Sequence, residues 1–286
     1  MMKRKKKVRL KIGNVLILIF LLMIVVGGII VINYDKNMKD NMKDKEKSNS
    51  TEVKKEKKDV NDTSKVTKDL EKAPVNSISF DALSDGEYVT EKGYTLIIKN
   101  KTAYIDGNVI ANKTYGIPED YQPEDPYHSV VGERCNDCID KKAMEAFLLM
   151  QSDAKALGLN IYIASGYRSY KYQVNLYDKY VSTSGKAGAD TYSSRPGHSE
   201  HQTGMCFDLN SIDDSFANTD EGKWVHENAY RYGFVIRFPK GAEKYTGYQY
   251  ESWHLRYVGT SLAKKLYQND EYVSLEEYYG ITSTYE

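Results

Sequence analysis

Residues 196–208 read Pro-Gly-His-Ser-Glu-His-Gln-Thr-Gly-Met-Cys-Phe-Asp. A polar first half, rich in turn formers, gives way at Gly204 to the run GMCFDL over 204–209, which reads as a strand. His201 and Asp208 therefore flank a junction between loop and strand. Taken alone, an H-x6-D pair marks a structural hydrogen bond more often than a metal site. A second cluster, Glu251-Ser252-Trp253-His254, adds another imidazole and another carboxylate. Two imidazoles and one carboxylate with a fourth position open are the donor count of a catalytic zinc site, and His201, Asp208 and His254 supply it. Glu251 is then the candidate general base, since a carboxylate beside zinc-activated water can take its proton and return it to a leaving amine. On a regular strand, positions 251 and 254 point to opposite faces. That role for Glu251 therefore requires a bulge or bend between them.

Helical and strand patterns alternate around these clusters. Asp140 is a good N-cap, and Ala143, Phe147, Met150, Ala154 and Leu157 recur at helical spacing before Gly158 stops the run. Residues 160–165 (NIYIAS) alternate like a strand, and Ser169 opens a helical pattern carrying Val174, Tyr177 and Val181. Residues 221–232 read as a helix ended by Gly233, with strands expected over 234–238 (FVIRF) and around 253–258, then short helices. Upstream, residues 94–99 and 102–105 read as short strands, with Asn100-Lys101 and Asp106-Gly107 at turn positions. The class is α+β, a small antiparallel sheet with helices packed on it.

Taken together, Ser-Gly-Tyr-Arg-Ser (165–169) with Gln173, the 196–208 stretch and Glu-x-Trp-His (251–254) resemble the VanY-type D,D-carboxypeptidases and their L,D-carboxypeptidase relatives. These zinc peptidases are related to lysostaphin-type enzymes and the hedgehog domain, and the likeness covers about residues 115–260. It implies the zinc peptidase fold and a Zn2+ cofactor held by His201, Asp208 and His254. Glu251 would activate water, and Arg168 would stabilise the oxyanion or hold the substrate, tasks that suit a rigid, permanently charged guanidinium. Gln173 and Ser199 would line the substrate pocket, with Trp253 packing the ligand-bearing segment and forming a wall. The implied reaction is removal of the C-terminal D-alanine from peptidoglycan stem peptides. An L,D activity on tetrapeptide stems and a non-catalytic zinc-containing wall-binding module are the alternatives. Cys206 departs from the small apolar residue usual there and shares the Asp208 face of a strand, where it could compete as a ligand or serve as a small hydrophobe. His198 reads as a pocket residue or an outer donor, and His128 and His226 as structural.

The chain has 286 residues, with 40 Lys plus Arg against 40 Asp plus Glu, so no global charge draws it to nucleic acid and none is expected as a partner. Its 25 tyrosines suit a polar-walled groove or ordinary strand surfaces equally. Residues 15–32 form an uncharged apolar run spanning about 27 Å as a helix, enough to cross a bilayer. Lys3, Arg4, Lys5, Lys6, Lys7, Arg9 and Lys11 precede it, which keeps that end cytoplasmic. A retained anchor fits better than a cleaved signal peptide, because no small-residue cleavage site comes after the run. The expected organisation is a basic cytoplasmic tail (1–14), a single transmembrane anchor (15–32), a disordered charged linker (33–76), a small β accessory segment (77–114) and a zinc D,D-carboxypeptidase domain (115–286). A monomer at the cell membrane is expected, with its catalytic domain extracytoplasmic. Cys135 and Cys138 make a single CxxC, half of a four-cysteine zinc site, and read as a local bridge or two free thiols.

Overall fold

The structure is a computed structural model that describes residues 75–285. The expected basic tail, transmembrane anchor and nearly all of the charged linker lie outside the described residues. Among those described, no helix is long and apolar enough to cross a membrane.

The first sheet is a meander of β1 (Gly86–Val89), β2 (Thr95–Lys99), β3 (Thr102–Ile105) and β4 (Asn108–Ile110), antiparallel throughout. Its tight turns fall where the residue types place them. Asn100 and Lys101 have φ of 51° and 57°, and Asp106 and Gly107 have 50° and 74°; a left-handed pair at both central positions matches the right-handed twist of a hairpin. Leu96, Ile98, Ala103 and Ile105 from this sheet are buried in the same core as Phe147 and Phe207.

β5 (Arg134–Cys135) precedes helix α1 (Lys141–Ala156). Asp140 caps α1, its carboxylate accepting from the backbone N–H of Lys142 and Ala143. Ala143, Phe147, Met150 and Ala154 are buried along one face, and Phe147 meets the Phe207 ring edge-on at 5.1 Å. Leu157, expected in that stripe, is instead exposed, because the helix ends at Ala156 and the chain turns at Gly158. The strand expected over 160–165 shortens to β6 (Ile163–Ser165), followed by β7 (Tyr167–Arg168), which pairs with β5. Ser169 caps α2 (Tyr170–Ala189), where Tyr177 is buried but Val174 and Val181 only half so. β8 (Cys206–Leu209) is followed by α3 (Asp220–Asn228). The last turn expected of that helix tightens into a 3-10 turn, Ala229–Tyr232, before the left-handed Gly233.

β9 (Phe234–Phe238) and β10 (Glu251–Tyr257) complete the second sheet, antiparallel in the order β6-β8-β10-β9. Every residue of β8 and β9 is buried, as is every residue of β10 but Tyr257. These strands are covered on both faces, so the polar side chains they carry, Asp208, Arg237, Glu251, His254 and Arg256, have to find partners inside the fold. α4 (Thr260–Leu266) and α5 (Leu275–Tyr279) close the chain. The observed class is the expected α+β with antiparallel sheets.

The ladder of the second sheet is broken at one point. Between Glu251 and Leu255, β10 takes four steps where β9 takes two, from Phe238 to Ile236. This is the expected break in alternation. Cys135, the last residue of β5, forms a disulfide with Cys138 just beyond it, the first of the two states open to that CxxC pair.

Candidate active site

Asp208 on β8 stands directly opposite His254 on β10 in the antiparallel ladder. Directly paired residues project from the same face, and His254 Nδ1 lies 3.1 Å from Asp208 Oδ1. His201 arrives from the 3-10 turn Glu200–Thr203. Its Nε2 lies 3.4 Å from Asp208 Oδ2, and its ring crosses that of His254 edge-on at 4.9 Å between centroids. Gly204 ends the turn with φ of 70°, and a Cβ there would sit 2.5 Å from Pro123 Cγ. Glycine at this point lets the chain turn into β8.

The His201 tautomer is set by its partner. Nδ1 lies 2.7 Å from the Gly166 carbonyl oxygen, which can only accept, so Nδ1 carries the proton and the neutral ring has its lone pair on Nε2. That Nε2 is buried without a hydrogen-bond partner, an arrangement suited to a cation. Donor atoms of Asp208, Glu251 and His254 lie within 4.8 Å of one another, as do those of His201, Cys206 and His254. With two imidazoles and a carboxylate converging, the residues fit zinc. Burial would raise the Asp208 carboxyl, but His201 and His254 hold it well below the usual carboxylate range.

The break in β10 brings Glu251 round to the His254 side, its Oε2 3.6 Å from His254 Nδ1. Burial pushes its carboxyl up to about 7, with Asp208 adding to the rise and His254 opposing it. That is the value of the metal-free site; a cation bound beside it would favour the ionised form, the one that accepts a proton. Arg168, at the end of β7, points Nη2 at Asp208 Oδ2 from 3.5 Å and donates through Nη1 to Gln173 Oε1 at 3.3 Å. Gln173 is anchored in turn, its Nε2 donating to the Ser194 carbonyl at 2.7 Å. The amide therefore holds the guanidinium in place.

All the expected site residues line one cleft of about 520 Å³. Ser199 is buried in its floor, and Trp253 is both a wall and part of the hydrophobic core. Tyr172, Tyr180, Tyr192 and Tyr248 also line it, so some of the tyrosine excess does form a polar groove wall. His198 is elsewhere, bonded to the Asn112 carbonyl at 2.8 Å. His128 pairs with Asp137 at 2.9 Å, and His226 approaches the Asp270 carbonyl at 2.9 Å.

Sequence reasoning misses Glu200, Arg134 and the buried Arg237. Arg237 has a signal, since a lone charge in the strand FVIRF must find a partner if the strand is buried. Gly166 lies within the Ser-Gly-Tyr-Arg-Ser motif, where its type alone assigns it no role. A Cβ on it would sit 2.4 Å from the Asn136 carbonyl oxygen, and its own carbonyl orients His201. Gly166→Ala is expected to cost about 1–3 kcal/mol by overpacking and to weaken metal binding. Urea denaturation and zinc titration matching wild type would contradict this.

Known proteins resemble this chain in sequence and in fold. The family model described as VanY, D-alanyl-D-alanine carboxypeptidase, matches residues 136–260. YodJ of Bacillus subtilis (strain 168) is 40% identical over 188 residues, 60% of this chain and 67% of its own length. The solved structure of the LdcB LD-carboxypeptidase superposes with a TM-score of 0.55 at 37% identity, covering 65% of this chain and 95% of that one. VanYB in complex with D-alanine-D-alanine superposes with a TM-score of 0.50 at 34% identity, covering 59% and 94%. With three motifs gathered in one cleft and these relatives around it, the chain belongs to the VanY family of D-alanyl-D-alanine carboxypeptidases.

Proposed function

We propose that this chain is a zinc-dependent carboxypeptidase that hydrolyses the C-terminal D-alanine from peptidoglycan stem peptides. The observation that carries the reading is the buried Glu251 carboxylate turned by the β10 irregularity onto the His254 side of the donor cluster. His201, Asp208 and His254 are the zinc ligands. When bound, the zinc supplies Lewis-acid polarisation of the scissile carbonyl and of water. Glu251 accepts the proton of the attacking water. Arg168 offsets negative charge developing on the carbonyl oxygen, held to that task by Gln173. Glu251 then returns its proton to the leaving amine as the C–N bond breaks. Ser199 and Trp253 shape the pocket for the stem peptide.

The likeness to LdcB favours a second reading, L,D cleavage of tetrapeptide stems. A non-catalytic wall-binding module is disfavoured, because a structural metal site needs no free carboxylate beside it. The domain boundaries, with a β accessory segment over 77–114, belong to this proposal, as do the single-pass anchor, the extracytoplasmic location and the monomeric state. The basic residues before the apolar run support the orientation, and the Cys135–Cys138 disulfide suits an oxidising exterior.

Defined penta- and tetrapeptide stems, incubated with the protein with and without a chelator, test the reading. The expected result is loss of D-alanine from the pentapeptide, abolished by the chelator. Shortening of the tetrapeptide alone selects the L,D reading. If folded, zinc-loaded protein shortens neither stem, the enzyme proposal fails.

A further inference from the structure

The two ring nitrogens of His254 face different surroundings. Nδ1 looks onto Asp208 and Glu251, at 3.1 and 3.6 Å. Nε2 is buried, makes no hydrogen bond, and has Glu200 Oε2 3.7 Å away. Glu200 Oε2 is itself buried without a hydrogen-bond partner. Two unsatisfied polar atoms of complementary chemistry thus face each other across a gap that a small closing movement turns into a hydrogen bond.

Glu200 is held where it can do this. Its other oxygen, Oε1, takes Arg237 Nε at 2.7 Å and lies 3.2 Å from Arg256 Nη1. Arg237 is gripped from behind by Glu276 on α5, through Nη1 at 2.8 Å and Nη2 at 2.6 Å. Glu276 Oε1 also accepts from Asn112 Nδ2 at 3.0 Å. The four charged side chains are at most 4% exposed, and two cations balance two carboxylates. A network this costly to bury is satisfied throughout except at the one oxygen aimed at His254 and at Arg256 Nη1.

We propose that Glu200 is a positioning residue for His254. Its Oε2 accepts the Nε2–H and so fixes the tautomer that offers a bare Nδ1 lone pair to the zinc. Through Arg237 and Glu276, the C-terminal helix α5 sets the position of that carboxylate. Metal-ligating histidines commonly donate their other N–H to a carboxylate or carbonyl, which orients the ring and raises its basicity. His201 does so with the neutral Gly166 carbonyl and His254 with a charged carboxylate, so the two ligands are tuned unequally.

The proposal rests on the zinc reading of the site. The test uses the zinc-loaded wild-type protein with nitrogen-15-labelled histidine. Ring spectra should show His254 protonated at Nε2, the proton far downfield and slow to exchange, with Nδ1 shifted by the metal. In Glu200→Gln the resonance should move upfield, and zinc affinity measured by chelator competition should fall about 10–100-fold. A merely structural glutamate would leave the tautomer and the proton shift unchanged. If Glu200→Gln does not fold, the wild-type spectrum decides alone. His254 protonated at Nδ1 in wild type, or wild-type zinc affinity in a folded Glu200→Gln, overturns the proposal while leaving the zinc reading standing. Failure of wild type to bind zinc brings down both.

Discussion

Glu251→Ala is expected to lower kcat by roughly 10²–10⁴, the contribution of a positioned general base, while the protein still binds zinc. The expectation is sharp because Glu251 lies among possible donors, within 4.8 Å of donor atoms of Asp208 and His254. A ligand and a base give opposite results. Were Glu251 a ligand, alanine would take zinc with it, and chelator competition would show affinity falling in step with turnover. As the base, it leaves affinity near the wild-type value and removes only the proton transfer. Glu251→Gln separates the same roles with the shape preserved. Its charge also has a stability consequence. In the metal-free protein burial raises the folded-state pKa to about 7, so stability is lost as pH rises from the unfolded value near 4.3 through about 7, while below about 4.3 the carboxyl is neutral in both states. Metal-free Glu251→Gln should therefore unfold at a higher temperature than wild type above about pH 7 and at the same temperature near pH 4. Equal turnover in wild type and Glu251→Ala would remove Glu251 from its role.

Features fixed by the chain's local chemistry are legible without coordinates. Asp140 and Ser169 announce their helices because a cap depends on neighbouring backbone N–H groups alone. Asn100-Lys101 and Asp106-Gly107 announce their turns by residue type. The β10 irregularity is legible by a different route. The chemistry asks Glu251 and His254 to share a face, and a regular strand forbids it, so the expected break comes from the conflict. What stays hidden depends on long-range partners. Glu200 stands inside the 196–208 stretch, but its meaning comes from Arg237, Arg256 and Glu276, which lie 37 to 76 positions along the chain. The Gly166 carbonyl is invisible for a similar reason, since a backbone oxygen has no letter in a sequence. Leu157 fails because spacing does not locate the residue at which a helix stops.

His254→Ala is expected to abolish zinc binding and turnover together, and the loss in affinity should exceed the roughly 10–100-fold typical of removing an outer partner. The ladder explains why no neighbour substitutes. His254 is the residue directly across from Asp208, so its removal leaves that carboxylate buried with His201 and Arg168 alone at 3.4 and 3.5 Å. It also belongs to both donor groups, with Asp208 and Glu251 on one side and His201 and Cys206 on the other. Deleting the shared member dismantles both. The clearest measurement is thermal unfolding with and without zinc, because a ligand that binds only the folded state stabilises it by RT ln(1 + [L]/Kd), about 4 kcal/mol at a thousandfold excess over Kd. Wild type should melt higher in zinc and His254→Ala should not, with zinc-free melting temperatures available to separate lost binding from lost folding. A zinc-dependent rise in His254→Ala equal to that of wild type would mean that the cation is held elsewhere, and the role given to the β8–β10 pairing would have to be abandoned.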